Sequence, residues 1–122
     1  MDLHESGEMY LETILILKNK NEFVRSIDIA NTMNFSKPSV SRAIKILKES
    51  GMITVDRKGY IDFTEEGQKR AQKIYARHVA FTQFLVKIGV HEEQAEEDAC
   101  RIEHIISDET FECIKNFLEK QS

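Results

Sequence analysis

The segment from residue 35 to residue 63 limits the possible folds of this chain more than any other part of it. It contains apolar residues at helical spacing, Val40, Ile44 and Leu47. Ser36 is placed to cap this helix and Gly51 to end it, and Pro38 is tolerated in its first turn. Two short β-prone runs then flank Asp56-Arg57-Lys58-Gly59, a sequence typical of a hairpin turn. A capped helix followed at once by a hairpin predicts the second half of a winged helix-turn-helix.

The residues before this segment predict its first half. A helix is predicted from Glu5 to Lys20, with a wide apolar stripe that includes Tyr10, Ile14 and Leu17. Ser26 is predicted to cap a short helix from residue 27 to residue 33, and Asn34 to form the turn that follows. We therefore predict a winged helix-turn-helix DNA-binding domain in residues 1–63.

The residues after the hairpin predict three more helices. Thr64 caps a long helix that ends near Gly89, a second helix covers residues 92–106, and Ser107 caps a third over residues 108–119. The predicted fold is mainly α, with a helical dimerisation domain in residues 64–122. The dimer is predicted because these helices carry more apolar residues than they can easily hide alone: Phe81, Phe84, Leu85, Phe111, Ile114, Phe117 and Leu118. A two-fold homodimer would bury the excess and match a palindromic operator in double-stranded DNA.

Composition excludes several classes of protein. The chain has 122 residues, of which 41% are hydrophobic and 31% charged, and its apolar runs are far too short to span a membrane. Its opening residues, Met1 to Glu5, have neither a basic start nor an apolar run, so we expect no secretory signal. Two cysteines make no disulfide framework. We therefore expect a reducing, cytoplasmic setting and no membrane partner.

The net charge of −4 is unevenly distributed along the chain. Residues 25–58 carry seven Lys/Arg and three Asp/Glu, a balance of +4, whereas residues 59–122 carry eight and thirteen, a balance of −5. One basic segment in an acidic chain indicates contact with nucleic acid, although a solvated basic face would have the same charge.

The predicted second helix of the helix-turn-helix carries residues suited to DNA. In such motifs this helix enters the major groove with its N-terminal residues against the bases. Arg42 could donate two hydrogen bonds to a guanine, and Pro38 could contact a thymine methyl group. Arg57 and Lys58, at the hairpin tip, suit contact with the backbone of the adjacent groove. The other polar side chains suit phosphate contacts: Ser36, Lys37, Ser39, Ser41 and Lys45.

A second constellation has the chemistry of a metal site. Cys100, Glu103 and His104 share one face of the predicted helix 92–106, and Glu96 lies one turn before Cys100. A thiolate, a carboxylate and an imidazole together can bind a divalent transition metal. The alternative is a solvated acidic face with one small cysteine.

Two other helices add potential ligands. His78 lies in an apolar stripe of the preceding helix, formed by Ala71, Ile74, Tyr75, Phe81 and Leu85. A lone histidine there is usually a core residue, but beside a helix that carries a thiol, a carboxylate and an imidazole it becomes a candidate ligand. Met9 and Glu12 offer a thioether and a carboxylate from the first helix. A site drawn from three helices could couple metal binding to their relative placement.

Several ordered motifs resemble those of the diphtheria toxin repressor and manganese transport regulator family: GEMYLETI, FSKPSVSRAIKIL, YARH and EEDACRIEHIISDE. The resemblance covers nearly the whole chain. It implies a metal-dependent DNA-binding regulator with a winged helix and a helical dimerisation domain. The chain ends at Ser122, so we expect a short form without the SH3-like domain of longer members.

The resemblance also implies a ligand set. The implied primary site consists of Met9, Cys100, Glu103 and His104, and His78 matches a ligand position used throughout the family. Thr82 and Glu96 stand where iron-responsive members place a Glu and a His of an ancillary site. Glu12 instead resembles the manganese-responsive branch.

Ligand chemistry favours iron as the physiological metal. Sulfur donors favour Fe(II), and in vitro also Co(II), Ni(II) or Zn(II), over Mn(II), which prefers carboxylate and water. We therefore predict a repressor of metal-homeostasis genes that senses Fe(II), with Mn(II) as the alternative. Remote alternatives are a redox-sensing DNA binder that uses Cys100 or Cys113, and a small metal-dependent hydrolase. Because the chain shows no spare catalytic pair, we predict no enzyme activity, no catalytic residues and no small organic substrate.

Overall fold

The computed structural model describes the backbone of residues 5–121 and the side chains of residues 6–120. The first four residues, on which the prediction of no secretory signal partly rests, lie outside this range. Within it the chain forms helices and one two-stranded sheet in the predicted order: α1 (Glu5–Lys20), α2 (Ser26–Met33), α3 (Lys37–Glu49), β1 (Ile53–Val55), β2 (Ile61–Phe63), α4 (Glu65–Lys87), α5 (Glu92–Ile102) and α6 (Asp108–Gln121). The predicted mainly helical fold class is confirmed. No helix in the described range is both long and apolar enough to cross a bilayer.

The chain divides into two compact units, one ending at Gln72 and the other beginning at Lys73. This division lies inside α4, whereas we predict a boundary between residues 63 and 64. The first turns of α4 pack in the first unit, since Arg70 pairs with the carboxylate of Glu8 at 2.9 Å. Helix α4 therefore contributes residues to both units.

The core of the first unit is built from the predicted apolar stripes. The inward residues of α1 and α3 are buried, as are those of the two strands: Tyr10, Leu11, Ile14, Leu15, Leu17, Val40, Ile44, Leu47, Ile53 and Ile61. Strands β1 and β2 pair antiparallel with Thr54 opposite Asp62. In the turn between them, the Asp56 carboxylate accepts backbone hydrogen bonds from Lys58 and Tyr60, each at 2.9 Å. These elements form the predicted winged helix-turn-helix.

Three of the four predicted N-terminal caps are confirmed. The hydroxyl oxygens of Ser36, Thr64 and Ser107 each accept a backbone N–H from three residues later, at 3.1–3.3 Å. The prediction for Ser26 is wrong, because Arg25 holds the N-cap position of α2. The Asp28 carboxylate accepts the Arg25 backbone N–H at 2.8 Å, which closes the first turn one residue earlier than predicted.

Helix α5 is shorter than predicted, since it ends at Ile102 instead of Ile106. The Ile105 N–H bonds to the Ile102 carbonyl at 3.1 Å, a spacing of three residues that tightens the chain into a turn. Glu103 and His104 therefore lie in the turn after α5 and not on its face. The physical reason is tertiary, because two carbonyls of this turn accept hydrogen bonds from the side chain of Arg77.

The core of the second unit corrects two further expectations. Tyr75, which we place in the apolar stripe of α4, is 38% exposed, whereas Ile74 and Phe81 are buried. Phe81 and Leu118 are already buried within a single chain, so neither is available for a dimer surface. Phe117 is 43% exposed and packs edge-on against Phe84, with ring centroids 5.9 Å apart. Fewer of the apolar residues predicted to form a dimer surface are therefore exposed in a single chain.

Candidate metal centre and nucleic-acid interface

Cys100, Glu103 and His104 come together at the end of α5. One potential ligand atom from each lies within 4.8 Å of the others. Two atoms bound to opposite sides of one transition-metal ion at about 2.0–2.3 Å are at most about 4.6 Å apart. The three donors are therefore close enough together to be candidate ligands of a single ion. A thiolate, a carboxylate and an imidazole form a mixed donor set suited to a divalent transition metal.

The carboxylate of Glu103 is the centre of this cluster. It is fully buried, and its Oε2 atom is hydrogen-bonded to His78 Nδ1 at 2.9 Å. Its Oε1 atom lies 3.2 Å from Nε2 of His104, whose side chain is also fully buried. A buried carboxylate is costly unless partners compensate its charge. The structure thus brings His78 of α4 together with Glu103 and His104, the residues that follow α5.

The pKa of His78 reflects its contact with Glu103. The hydrogen bond to Glu103 raises the pKa of His78 above its ordinary value, while burial acts in the opposite direction. The negative charge of Glu96 also raises this pKa. Glu96 itself is exposed on α5. Glu96 therefore acts on His78 through its charge and not through a hydrogen bond.

The remaining predicted ligands lie in the first unit, on α1. Glu12 is buried and Met9 is half-buried. They are three residues apart and so lie on one side of the helix. The backbone carbonyl of Met9 accepts a hydrogen bond from the Thr13 hydroxyl at 2.9 Å. A role for Met9 and Glu12 as ligands stays a prediction.

The predicted DNA-reading residues form an exposed surface on α3. Most of them are exposed, and Ser39 is half-buried: Ser36, Lys37, Pro38, Ser41, Arg42 and Lys45. The hydroxyls of Ser36 and Ser39 are hydrogen-bonded to each other at 2.8 Å. Arg42 Nη2 donates to the Ser39 hydroxyl at 3.4 Å. These contacts orient the guanidinium of Arg42 along the N-terminal half of the helix.

The hairpin adds a second basic surface, with Arg57 and Lys58 exposed at its tip. Sequence reasoning does not single out Arg25, whose guanidinium the structure places over the ring of Tyr60. Its guanidinium carbon lies 4.7 Å from the centroid of the Tyr60 ring, and that ring stacks on Phe23 at 4.5 Å. Arg25 therefore adds a positive charge beside the second strand. The sequence feature that could have pointed to Arg25 is its place in the basic segment, residues 25–58.

Arg77 is the second residue that local sequence patterns do not reveal. It precedes His78 on α4, and its guanidinium contacts the turn that carries Glu103 and His104. No spacing rule connects a residue on one helix with a turn about 26 positions later.

Comparisons with known proteins match both halves of the chain to one family. Residues 2–63 match the iron dependent repressor N-terminal DNA binding domain. Residues 64–122 match the iron dependent repressor metal binding and dimerisation domain. An HTH-type transcriptional regulator of Methanocaldococcus jannaschii is 35% identical over 97% of this chain and 96% of its own length.

Two further relatives differ in length from this chain. The transcriptional regulator MntR of Escherichia coli is 33% identical over 91% of this chain and 72% of its own length. The solved structure of the manganese regulator SloR superposes with a TM-score of 0.83 and 28% identity. That match covers 98% of this chain but only 55% of SloR.

Proposed function

We propose a metal-controlled DNA switch for this chain, which belongs to the iron-dependent repressor family of metal-dependent transcriptional regulators. Family members are DNA-binding regulators and not enzymes. The observation that carries the proposal is the convergence of Cys100, Glu103 and His104 at the end of α5. We propose that the chain represses metal-homeostasis genes in the cytoplasm when these residues hold a metal ion.

The proposed ligand set extends beyond these three residues. His78 shares the Glu103 carboxylate with His104 and is an additional candidate donor in the second unit. Met9 and Glu12 are proposed to add a thioether and a carboxylate from α1, with Glu96 as a weaker candidate. When bound, a divalent ion would supply the positive charge that compensates the Cys100 thiolate and the Glu103 carboxylate. Ligands from α1, from α4 and from the turn after α5 are proposed to couple metal binding to DNA binding.

We propose Fe(II) as the physiological metal because two of the candidate donors are sulfur atoms. The half-buried thiol of Cys100 is the donor that most disfavours Mn(II), which prefers oxygen ligands. Mn(II) is the second candidate. It is supported by the carboxylate of Glu12 and by similarity to SloR, which is described as a manganese regulator.

Anaerobic calorimetric titrations of the apoprotein distinguish the two metals. We expect Fe(II) and Co(II) to bind more tightly than Mn(II), and we expect Cys100→Asp to narrow that difference by weakening Co(II) binding and strengthening Mn(II) binding. Cys113→Ser is the matched control, since Cys113 is exposed on α6. Equal affinity of the wild-type protein for Mn(II) and Co(II) would contradict the choice of iron.

The DNA-contacting residues divide into two proposed roles. Arg42 and Pro38 are proposed to contact base edges, and the serines and lysines around them are proposed to contact phosphates. Arg57 and Lys58 are proposed to contact the backbone of the neighbouring groove. A homodimer would present two α3 helices to a palindromic operator about one helical turn apart or a multiple of it. The match of residues 64–122 to a dimerisation domain supports this arrangement.

Operator binding measured with and without metal tests the proposal. By fluorescence anisotropy, we expect saturating Co(II) to increase affinity for operator DNA by about 5–150-fold, the usual range of coupling between two sites. The effect follows if metal binding shifts the population toward the DNA-binding arrangement. The same titration with a chelator present is the control. An operator affinity that does not depend on metal would refute the switch.

A further inference from the structure

The turn that carries Glu103 and His104 is held by one side chain from another helix. The Nη1 atom of Arg77 donates hydrogen bonds to the carbonyl of Glu103 at 3.3 Å and to the carbonyl of Ile106 at 2.9 Å. Its Nη2 atom pairs with the carboxylate of Asp108, the first residue of α6. The Arg77 side chain is only 12% exposed. A single guanidinium thus connects α4, the turn after α5 and the start of α6.

This contact replaces hydrogen bonds that a continued helix would have made. The carbonyls at a helix C-terminus lack partners within the helix and need them from elsewhere. An arginine can supply several donors in a rigid plane, and hydrogen bonds from a charged donor are stronger than neutral ones. The guanidinium carbon also lies 5.4 Å from the centroid of the Phe111 ring, which limits its movement.

We propose that Arg77 is a positioning residue for the metal centre. It keeps the turn in one conformation, so that Glu103 and His104 already face His78 and Cys100 before an ion arrives. This inference rests on the proposed function, because it assumes that these residues bind a metal. It goes further in assigning a role to a residue that cannot itself be a ligand, since a guanidinium has no acceptor atom.

When Arg77 is replaced, loss of its charge and loss of its positioning role predict opposite changes in metal affinity. A positive charge near a cation site opposes cation binding, so removal of that charge alone would tighten metal binding. Loss of positioning would weaken it instead, and groups that orient metal ligands typically contribute about 10–100-fold to affinity. The sign of the change in metal affinity therefore shows whether the positioning role of Arg77 outweighs the effect of its charge.

The experiment compares Arg77→Gln and Arg77→Lys with Lys73→Gln in the full chain. Lys73 is the matched control, because it lies one turn before Arg77 on α4 and its Nζ is 3.6 Å from the same Asp108 carboxylate. Apoprotein is titrated with Co(II), and both the dissociation constant and the visible absorption spectrum are recorded. Amide hydrogen exchange of residues 103–106 is measured in the apoprotein.

We expect Arg77→Gln to weaken Co(II) binding by about 10–100-fold, to alter the Co(II) spectrum and to speed exchange in the turn. Arg77→Lys keeps the charge but cannot reproduce the planar set of donors, so we expect a smaller loss. Lys73→Gln should leave all three measurements unchanged or tighten binding slightly. These results together would support positioning.

Two results would overturn the inference. One is Co(II) binding by Arg77→Gln that is unchanged or tighter than in the wild-type protein. The other is a Co(II) affinity and absorption spectrum of Arg77→Lys that equal those of the wild-type protein. This second result decides the question if Arg77→Gln does not fold. If the wild-type protein itself fails to bind Co(II), the proposed function is wrong, and that outcome is visible before any variant is compared.

Discussion

His104→Ala is expected to weaken Co(II) binding by more than about 100-fold, because loss of a ligand should exceed the roughly 10–100-fold cost of losing an orienting group. The imidazole is fully buried and its Nε2 lies 3.2 Å from Glu103 Oε1, so no solvent-exposed side chain can take its place without rearrangement. Isothermal titration of the apoprotein gives the affinity directly.

His91→Ala is the matched control for this prediction. His91 is exposed at the N-cap of α5, where its side chain makes no capping hydrogen bond. Thermal unfolding provides an independent check, since a ligand at 100 times its Kd stabilises the folded state by about 2.7 kcal/mol. We expect this stabilisation in the wild-type protein and in His91→Ala but not in His104→Ala. Retention of wild-type affinity by His104→Ala would remove this residue from the ligand set.

Gly67→Ala is expected to destabilise the protein by about 1–3 kcal/mol or more, the usual cost of overpacking. In an exposed helix the same change normally stabilises, because glycine loses more backbone freedom on folding than alanine. Here a Cβ atom would lie 2.7 Å from the carbonyl carbon of Met52 and closer still to its oxygen. The expected change in stability therefore has the opposite sign to the one that helix propensity predicts.

The Met52 carbonyl cannot easily move away. It accepts hydrogen bonds from the backbone N–H and the hydroxyl of Thr64, both at 3.1 Å. The hydroxyl of Thr64 also contacts the carbonyl of Gly51 at 2.6 Å. A methyl group at position 67 would have to separate α4 from the start of the hairpin. Chemical denaturation measures the effect, and Gln72→Ala, an exposed position on the same helix, should change stability by less than about 0.5 kcal/mol. A stabilised Gly67→Ala would contradict the close approach of Gly67 to the Met52 carbonyl.

Local sequence signals predict the elements of this fold well where the cause is local. A hydroxyl three residues before an N–H caps a helix by itself, which is why Ser36, Thr64 and Ser107 are predicted correctly. Gly59 and Gly89 have positive φ, as a hairpin turn and a helix end require. The prediction that Ser26 caps α2 fails because the Asp28 carboxylate, inside α2, accepts the backbone N–H of Arg25 and makes Arg25 the N-cap.

Nonlocal contacts explain the other expectations that fail. The apolar pattern continues to Ile106, yet α5 ends at Ile102, because a charged side chain from α4 competes for the carbonyls that follow. Tyr75 matches the apolar stripe by spacing but remains partly exposed, since spacing gives the side of a helix and not which neighbours cover it. The close approach of Gly67 to Met52 has no counterpart in the hydrophobic pattern.

The sequence by itself determined the order of the helices, the capped α3, the hairpin, and which side chains have the chemistry for a metal or for DNA. These features depend on periodicity, on caps and on side-chain type, all of which act within a few residues. Only the tertiary structure decided that Glu103 lies between His78 and His104, and that Arg77 holds the turn carrying two of them. The contacts of Glu103 with His78 and of the turn with Arg77 join segments about 25–30 residues apart, and their geometry depends on how the helices of the second unit pack.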